Sequence, residues 1–361
     1  MTFVEASPRV FVGALAAGVL GWAVVRFFIG DLTRFERIAW SFATGLLLQT
    51  ILFPIVASIA RAHALSTLLA FDVAVIAASV FARRSRRPEP WVQTSRLVIS
   101  LLAIAGAAWL LFLVSALSEP MWSTDYLAIW GLKAKVIATT GHVPGRVFTD
   151  PALYWAHREY PLLVPLSLAM LASFAGGWHD QALALLFPLC EIATLCALFG
   201  FLSRRVSLLA GAASTALTAL CFPLYRAVNA GTAEVPFAFS VVLVSTAFLD
   251  AVSERSRAIL ARLAVASLFC VSIKQEGTLF VLLLAMSLWV RRRWVSGWAL
   301  LVPPVVHWSL LYLLRGAQTR RDFEFSLFQP QQWGDLAPRF FHVLGRILGT
   351  DALAGWLPLL A

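Results

Sequence analysis

Ionisable side chains are scarce in this chain, and many of them collect in one stretch. Between 118 and 160 stand Glu119, Asp125, Asp150 and Glu159 together with Lys133, Lys135, His142, Arg146, His157 and Arg158. A positioned carboxylate can serve as a general base, and Arg and Lys can neutralise phosphate oxygens, so the stretch holds the parts for proton abstraction beside an anionic group. Over 122–130 the apolar residues recur at helical spacing, which predicts an amphipathic helix lying at the lipid–water boundary. Asp125 falls in its first turn, where it is either a helix cap or a base. At the far end of the stretch, His157-Arg158-Glu159-Tyr160-Pro161 sets an imidazole, a cation and an acid before a Pro-interrupted apolar run. Arg158 and Glu159 fit either an ordinary surface pair or a site.

Two further polar corners interrupt apolar runs. In Asn229-Ala230-Gly231-Thr232-Ala233-Glu234-Val235-Pro236, Glu234 heads a predicted helix with Pro236 in its first turn, and Arg226 lies just upstream. In Ser272-Ile273-Lys274-Gln275-Glu276-Gly277, Lys274 and Glu276 form either a local snorkelling pair or an ion-binding corner. Asp72 and Glu191 stand inside apolar runs and need partners or water there. His63, His179, His307 and His342 lack a second ligand-type residue at helical spacing and read as structural, and Asp180 has no distinctive frame.

The elements that must position these residues are set by composition. Of 361 residues 60% are hydrophobic and 13% charged, and the mean hydropathy is +0.80. A soluble globule cannot bury that much apolar surface, so the chain uses lipid as solvent. Intrinsic disorder and a soluble doubly wound enzyme are excluded on the same ground. Cys190, Cys196, Cys221 and Cys270 all lie in apolar runs without Cys-x-x-Cys spacing, which argues against a disulfide framework or a metal site. The net charge of +10 comes from arginines clustered between apolar runs, not along one face, so nucleic acid is not an expected partner.

Apolar runs at 10–29, 38–60, 64–82, 97–117, 181–202, 206–224, 235–252, 258–273, 277–291 and 295–314 predict an all-α polytopic membrane protein with about ten transmembrane helices. Short-loop arginines mark the cytoplasmic side. Arg83, Arg84, Arg86, Arg87 and Arg96 place the 83–96 linker inside and the 118–160 loop outside. If 161–176 does not cross, the clusters Arg204/Arg205, Arg255/Arg257/Arg262 and Arg291/Arg292/Arg293 also face in. The N-terminus and every lysine then lie outside, and the outer face is shared by 118–160, 225–234, 274–276 and 315–339. The division expected is a three-span addition and basic linker over 1–96, a core over 97–314, and an outer loop with a C-terminal apolar segment over 315–361, an ending that fits either a short relative or a truncated product.

The order of these features resembles the GT-C superfamily of integral-membrane glycosyltransferases, including the polyprenyl-phosphate-dependent protein mannosyltransferases and aminoarabinose transferases. Asp125-Tyr126 and Trp130 resemble the acidic and aromatic start of the superfamily's first outer loop. His157-Arg158-Glu159-Tyr160-Pro161-Leu162 resembles its His-Pro-Pro-Leu-like end, with an insertion. Arg204/Arg205, Glu234 and Lys274-Gln275-Glu276-Gly277 look like its later charged corners. The resemblance implies a multi-pass enzyme of the inner (plasma) membrane with an extracytoplasmic site, a polyprenyl-phosphate sugar donor, and a lipid, glycan or protein acceptor.

By the same resemblance, Asp125 deprotonates the acceptor hydroxyl as it attacks the sugar C1 with inversion, and cations stabilise the departing lipid phosphate. Lys274 and Arg158 are the first candidates for that role, with Lys133 and Arg226 behind them. Glu234 is the second catalytic candidate beside Asp125, with Glu234 or Glu159 orienting the acceptor or ligating a divalent ion, and His157, Glu159 and Glu276 are further site candidates. Members differ in metal dependence, and no metal or other cofactor is assigned. The alternative is a multi-span transporter or flippase with Glu191 on its path. Such a protein is expected to repeat broken helices in its two halves, and no internal repeat is visible.

Overall fold

A computed structural model describes residues 2–28, 32–59, 64–81, 94–141, 143, 156–157 and 160–315. Arg158, Glu159, His142, Arg146, Asp150, most of the 83–96 linker and everything after 315 lie outside the described residues. Among the described residues all regular structure is helical. The helices are α1 Phe3–Phe28, α2 Arg34–Ile59, α3 Ala64–Phe81, α4 Arg96–Ser118, α5 Gly131–Thr140 and α6 Leu163–Ala175. They continue with α7 Leu186–Arg205, α8 Leu208–Ala219, α9 Glu234–Ser253, α10 Arg257–Val271, α11 Glu276–Val290 and α12 Trp294–Arg315.

Each of the ten apolar runs coincides with a helix, because a backbone without water must satisfy its amides internally. Among the described residues five segments are long and apolar enough to cross a bilayer: Phe3–Arg26, Arg34–Ile59, Arg96–Ser118, Asp180–Arg205 and Glu234–Ser253. Others are shorter than their runs. The 206–224 run yields a 12-residue helix, α8, about 18 Å long against the ~30 Å of a hydrocarbon core. Ser207 caps its start, and after Ala219 the chain turns through 220–226, a stretch that contains Pro223 and Tyr225. Large apolar side chains such as Phe11, Leu111, Leu283 and Val306 face outward, a surface suited to lipid.

Successive long helices alternate in direction, giving the bundle two chemically different ends. At one end, arginines gather with carboxylates. Arg204 pairs with Glu36 at 2.7 Å and Asp250 at 3.0 Å, Arg205 reaches Asp250 at 2.5 Å and Glu254 at 2.8 Å, and Arg262 reaches Asp250 at 2.6 Å. Arg293 donates to the Val252 carbonyl at 2.9 Å. Four helices that start at this end carry side-chain caps: Ser95 on α4, Ser207 on α8, Ser256 on α10, and a reciprocal Thr33/Glu36 box on α2. At the opposite end, α6, α9 and α11 start without a side-chain cap.

Helix α6 occupies the opposite end. At 13 residues it is about 20 Å long. Its Leu163 amide donates to the Ser272 carbonyl at 3.0 Å, beyond the end of α10, while its Ala175 carbonyl accepts from Arg9 of α1 at 3.4 Å. Both its ends are therefore tied to the same end of the bundle. Nearly all of it is buried, as expected of a helix apolar on every face.

Candidate functional site

The end opposite the arginine cluster brings together 121–133, His157, 160–163, 178–180, 229–234 and 272–276. Its centre is a π-helical turn, Tyr126–Trp130, closed by a bond from the Gly131 amide to the Tyr126 carbonyl. Such turns widen the helix by one residue and recur at functional sites. The amphipathic pattern expected over 122–130 is present: Trp122 and Leu127 are exposed, and Tyr126, Ile129 and Trp130 are buried.

The turn is built around the Tyr126 ring. A Cβ on Gly131 would stand 2.4 Å from that ring, and one on Gly231 2.6 Å from it, with Gly231 at φ +95°. Only glycine permits both the approach and the backbone angle at 231. The Tyr126 hydroxyl donates to Asp180, which also accepts from the Trp178 indole at 3.0 Å. Burial, and then the bond to Asp180, push the Tyr126 pKa well above its ordinary value, so the hydroxyl keeps its proton. Asp180, unframed in the sequence, is thus the polar anchor of the turn. Its partner is 54 residues away, and only the aromatic neighbour Trp178 hinted at it.

Asp125 is exposed and makes no side-chain capping hydrogen bond. Of the two roles open to it, the cap is the one this geometry lacks. Lys133 is buried, donates to the His157 carbonyl at 2.5 Å, and lies about 6 Å from the Trp130 and Tyr160 ring centroids. His157 adopts φ +46° and stacks on Tyr160 at 4.8 Å, and the Tyr160 ring also stacks with that of Trp130 at 5.4 Å. Positive φ in a non-glycine residue signals strain held by its surroundings.

Lys274 pairs with Glu234 at 2.8 Å, bridging the α10–α11 corner to the start of α9. The local partner considered from the sequence was Glu276, which is instead exposed at the start of α11. The second Glu234 oxygen is buried, and among the described residues no hydrogen bond within 3.5 Å reaches it. Arg226 is exposed just before a short 3₁₀ turn, Ala227–Asn229. Arg158 and Glu159 lie outside the described residues, between the two that flank Lys133.

Inside the bundle the two isolated acids differ. Asp72 accepts from Gln49 at 2.6 Å. Glu191 is fully buried beside Tyr225, with no hydrogen-bond partner for either oxygen among the described residues. His179 caps Ala182, and His307 meets the Ser272 hydroxyl at 3.3 Å, both structural roles. Among the described residues no group of three His, Cys, Asp or Glu converges as a metal site. Compared with known proteins, the chain matches no family model, no curated protein and no solved structure.

Proposed function

We propose that this protein is a GT-C-like membrane glycosyltransferase that moves a sugar from a polyprenyl-phosphate donor to an envelope acceptor on the extracytoplasmic face. The observation that carries the reading is Asp125: an exposed, uncapped carboxylate on a π-turn, at the same end of the bundle as Lys274, Glu234, Lys133 and Arg226. In this reading the helices of the ten apolar runs lie in the membrane, the five long ones crossing it outright and the shorter ones, α8 included, completing the bundle, while α6 does not cross and the arginine-rich end faces the cytoplasm.

Asp125 takes the proton of the acceptor hydroxyl as its oxygen bonds to the sugar C1. The C1–O bond to the lipid phosphate breaks, and the phosphate leaves with the electron pair. Lys274 and Arg226 neutralise the charge that develops there. Glu234 holds Lys274 in place until the donor arrives. Lys133, close to the Trp130 and Tyr160 rings, holds His157 in place through its carbonyl.

The test is transfer of radiolabelled sugar from polyprenyl-phosphate donors into envelope acceptors by membranes with wild-type protein or Asp125→Asn at equal abundance. Loss of transfer in the variant is expected. Undiminished transfer would remove Asp125 from the mechanism. A transporter remains the second reading, favoured by the unpaired, buried Glu191, and uptake that depends on Glu191 without sugar transfer would select it.

A further inference from the structure

Glu191 of α7 is fully buried, and among the described residues no hydrogen bond within 3.5 Å reaches either of its carboxylate oxygens. Along the Asp180–Arg205 span it stands eleven residues from the loop end and fourteen from the arginine-rich end, about 16 and 21 Å at the rise of a helix. It therefore lies near the middle of a ~30 Å hydrocarbon core. A carboxylate at that depth requires a counter-charge. The arginines of α7 and α10 do not supply it, since Arg204, Arg205 and Arg262 converge on Asp250 at the end of the bundle.

Oxygen atoms surround this position. The buried Tyr225 hydroxyl lies beside Glu191 and Thr194, and among the described residues no hydrogen bond within 3.5 Å reaches it. Thr194, one turn along α7, donates its proton to the Cys190 carbonyl at 2.8 Å, which leaves the lone pairs of its hydroxyl oxygen facing outward from that bond. The backbone adds an independent feature. Helix α8 stops at Ala219, which packs with Ile192 and Leu195 of α7, so the negative end of its dipole sits at the level of Glu191. The chain then runs without regular helix through 220–226, carrying Tyr225 inward while Phe222, Pro223 and Arg226 stay exposed. Irregular backbone at membrane depth is tolerated where it lines a polar site, and the C-terminal ends of broken helices suit cations.

We infer that Glu191, Tyr225 and Thr194 bind one dehydrated alkali-metal cation at the C-terminal end of α8, in the middle of the bundle. An all-oxygen donor set suits a hard cation, and a single carboxylate balances a single positive charge, whereas a divalent ion would remain half-compensated in a medium that penalises charge. The cation fastens α7 to the broken end of α8. The inference rests on the burial of Glu191 and on neither the transferase nor the transporter reading, because occupancy is measured without turnover or transport.

For the test, the full chain is purified in neutral detergent and melted at equal ionic strength in lithium, sodium, potassium or choline chloride. In parallel, dicyclohexylcarbodiimide, which reacts with protonated carboxyl groups, is applied in each salt and its attachment to Glu191 is read by peptide mass spectrometry. At least one alkali cation is expected to raise the melting temperature saturably and to protect Glu191 from the reagent, while choline does neither. Glu191→Gln keeps the side-chain shape without the charge and is expected to melt cooperatively with no response to the cation. Tyr225→Phe weakens the cation roughly tenfold, the scale of one lost oxygen partner. Three results would overturn the inference: melting and labelling that are the same in all the salts, which would leave Glu191 holding only a proton; a cation response that survives Glu191→Gln; or an affinity unchanged in Tyr225→Phe. Should Glu191→Gln fail to fold, the wild-type and Tyr225→Phe titrations decide.

Discussion

Asp250 accepts from Arg262 at 2.6 Å across the turn that joins α9 to α10. The same carboxylate also receives Arg204 and Arg205 from α7, and Arg204 extends the network to Glu36 of α2. Three arginines and the three acids Glu36, Asp250 and Glu254 thus balance in charge where four helices meet.

Removing the centre of that network leaves a buried cation uncompensated, because the Arg262 side chain is only 8% exposed. Asp250→Ala is expected to cost about 3–5 kcal/mol. Thermal or denaturant unfolding in detergent checks it, and Glu254→Ala serves as a control. The Glu254 side chain is 60% exposed, and its loss should change stability by no more than about 1 kcal/mol.

Where α1 crosses α2 the backbones touch. A Cβ on Gly21 would lie 1.8 Å from the Ser41 carbonyl oxygen, and one on Gly45 1.7 Å from that of Ala17. Small residues permit this kind of close helix approach in membranes. Gly45→Val is expected to force the helices apart and destabilise the fold by about 3 kcal/mol or more. Gly18→Ala, on the open side of α1, is expected to be neutral or stabilising. Comparison of the two melting temperatures decides the matter.

The Tyr126 hydroxyl keeps its proton in the folded protein, while in the unfolded chain it titrates near 10. Above that pH the unfolded state loses a proton that the folded state retains, so the stabilisation present below pH ~10 is lost as pH rises further. Tyr126→Phe is expected to flatten the alkaline limb of a stability-against-pH curve. An unchanged slope would assign it to other groups, of which Tyr225, held protonated mainly by burial, is the first.

Lys274 and Glu234 are part-exposed, with side chains 18% and 37% accessible, so their pair contributes only about 1 kcal/mol to stability. Lys274→Ala is expected to fold yet lose transfer by about a hundredfold, the scale of removing one charge-stabilising group from a transition state. The reversed pair Glu234→Lys/Lys274→Glu should recover stability without recovering transfer. Recovery of both would make the pair a structural tie only.

Orientation is open to direct labelling. Thr139 is exposed on α5 at the loop end, and Arg255 is exposed at the arginine-rich end. In intact cells an impermeant thiol reagent is expected to modify Thr139→Cys and to reach Arg255→Cys only after lysis. The reverse pattern would turn the protein over in the membrane.

Composition and periodicity determined the solvent and the places of the helices, since an apolar run in lipid has no alternative to internal hydrogen bonding. The segments holding Asp125, Glu234 and Lys274 were likewise legible as polar interruptions of apolar sequence. What the sequence left open depended on contacts between distant residues. Asp180 gains meaning only when Tyr126 reaches it, Lys274 chooses Glu234 over the nearer Glu276, and Arg204 and Arg205, legible as topology markers, become the tie between α2, α7 and α9. Helical spacing predicts which residues share a face, but not which faces meet. That choice was made by the close crossing at Gly21 and Gly45 and by the enclosure of α6, where packing and burial over the whole bundle outweigh any local preference.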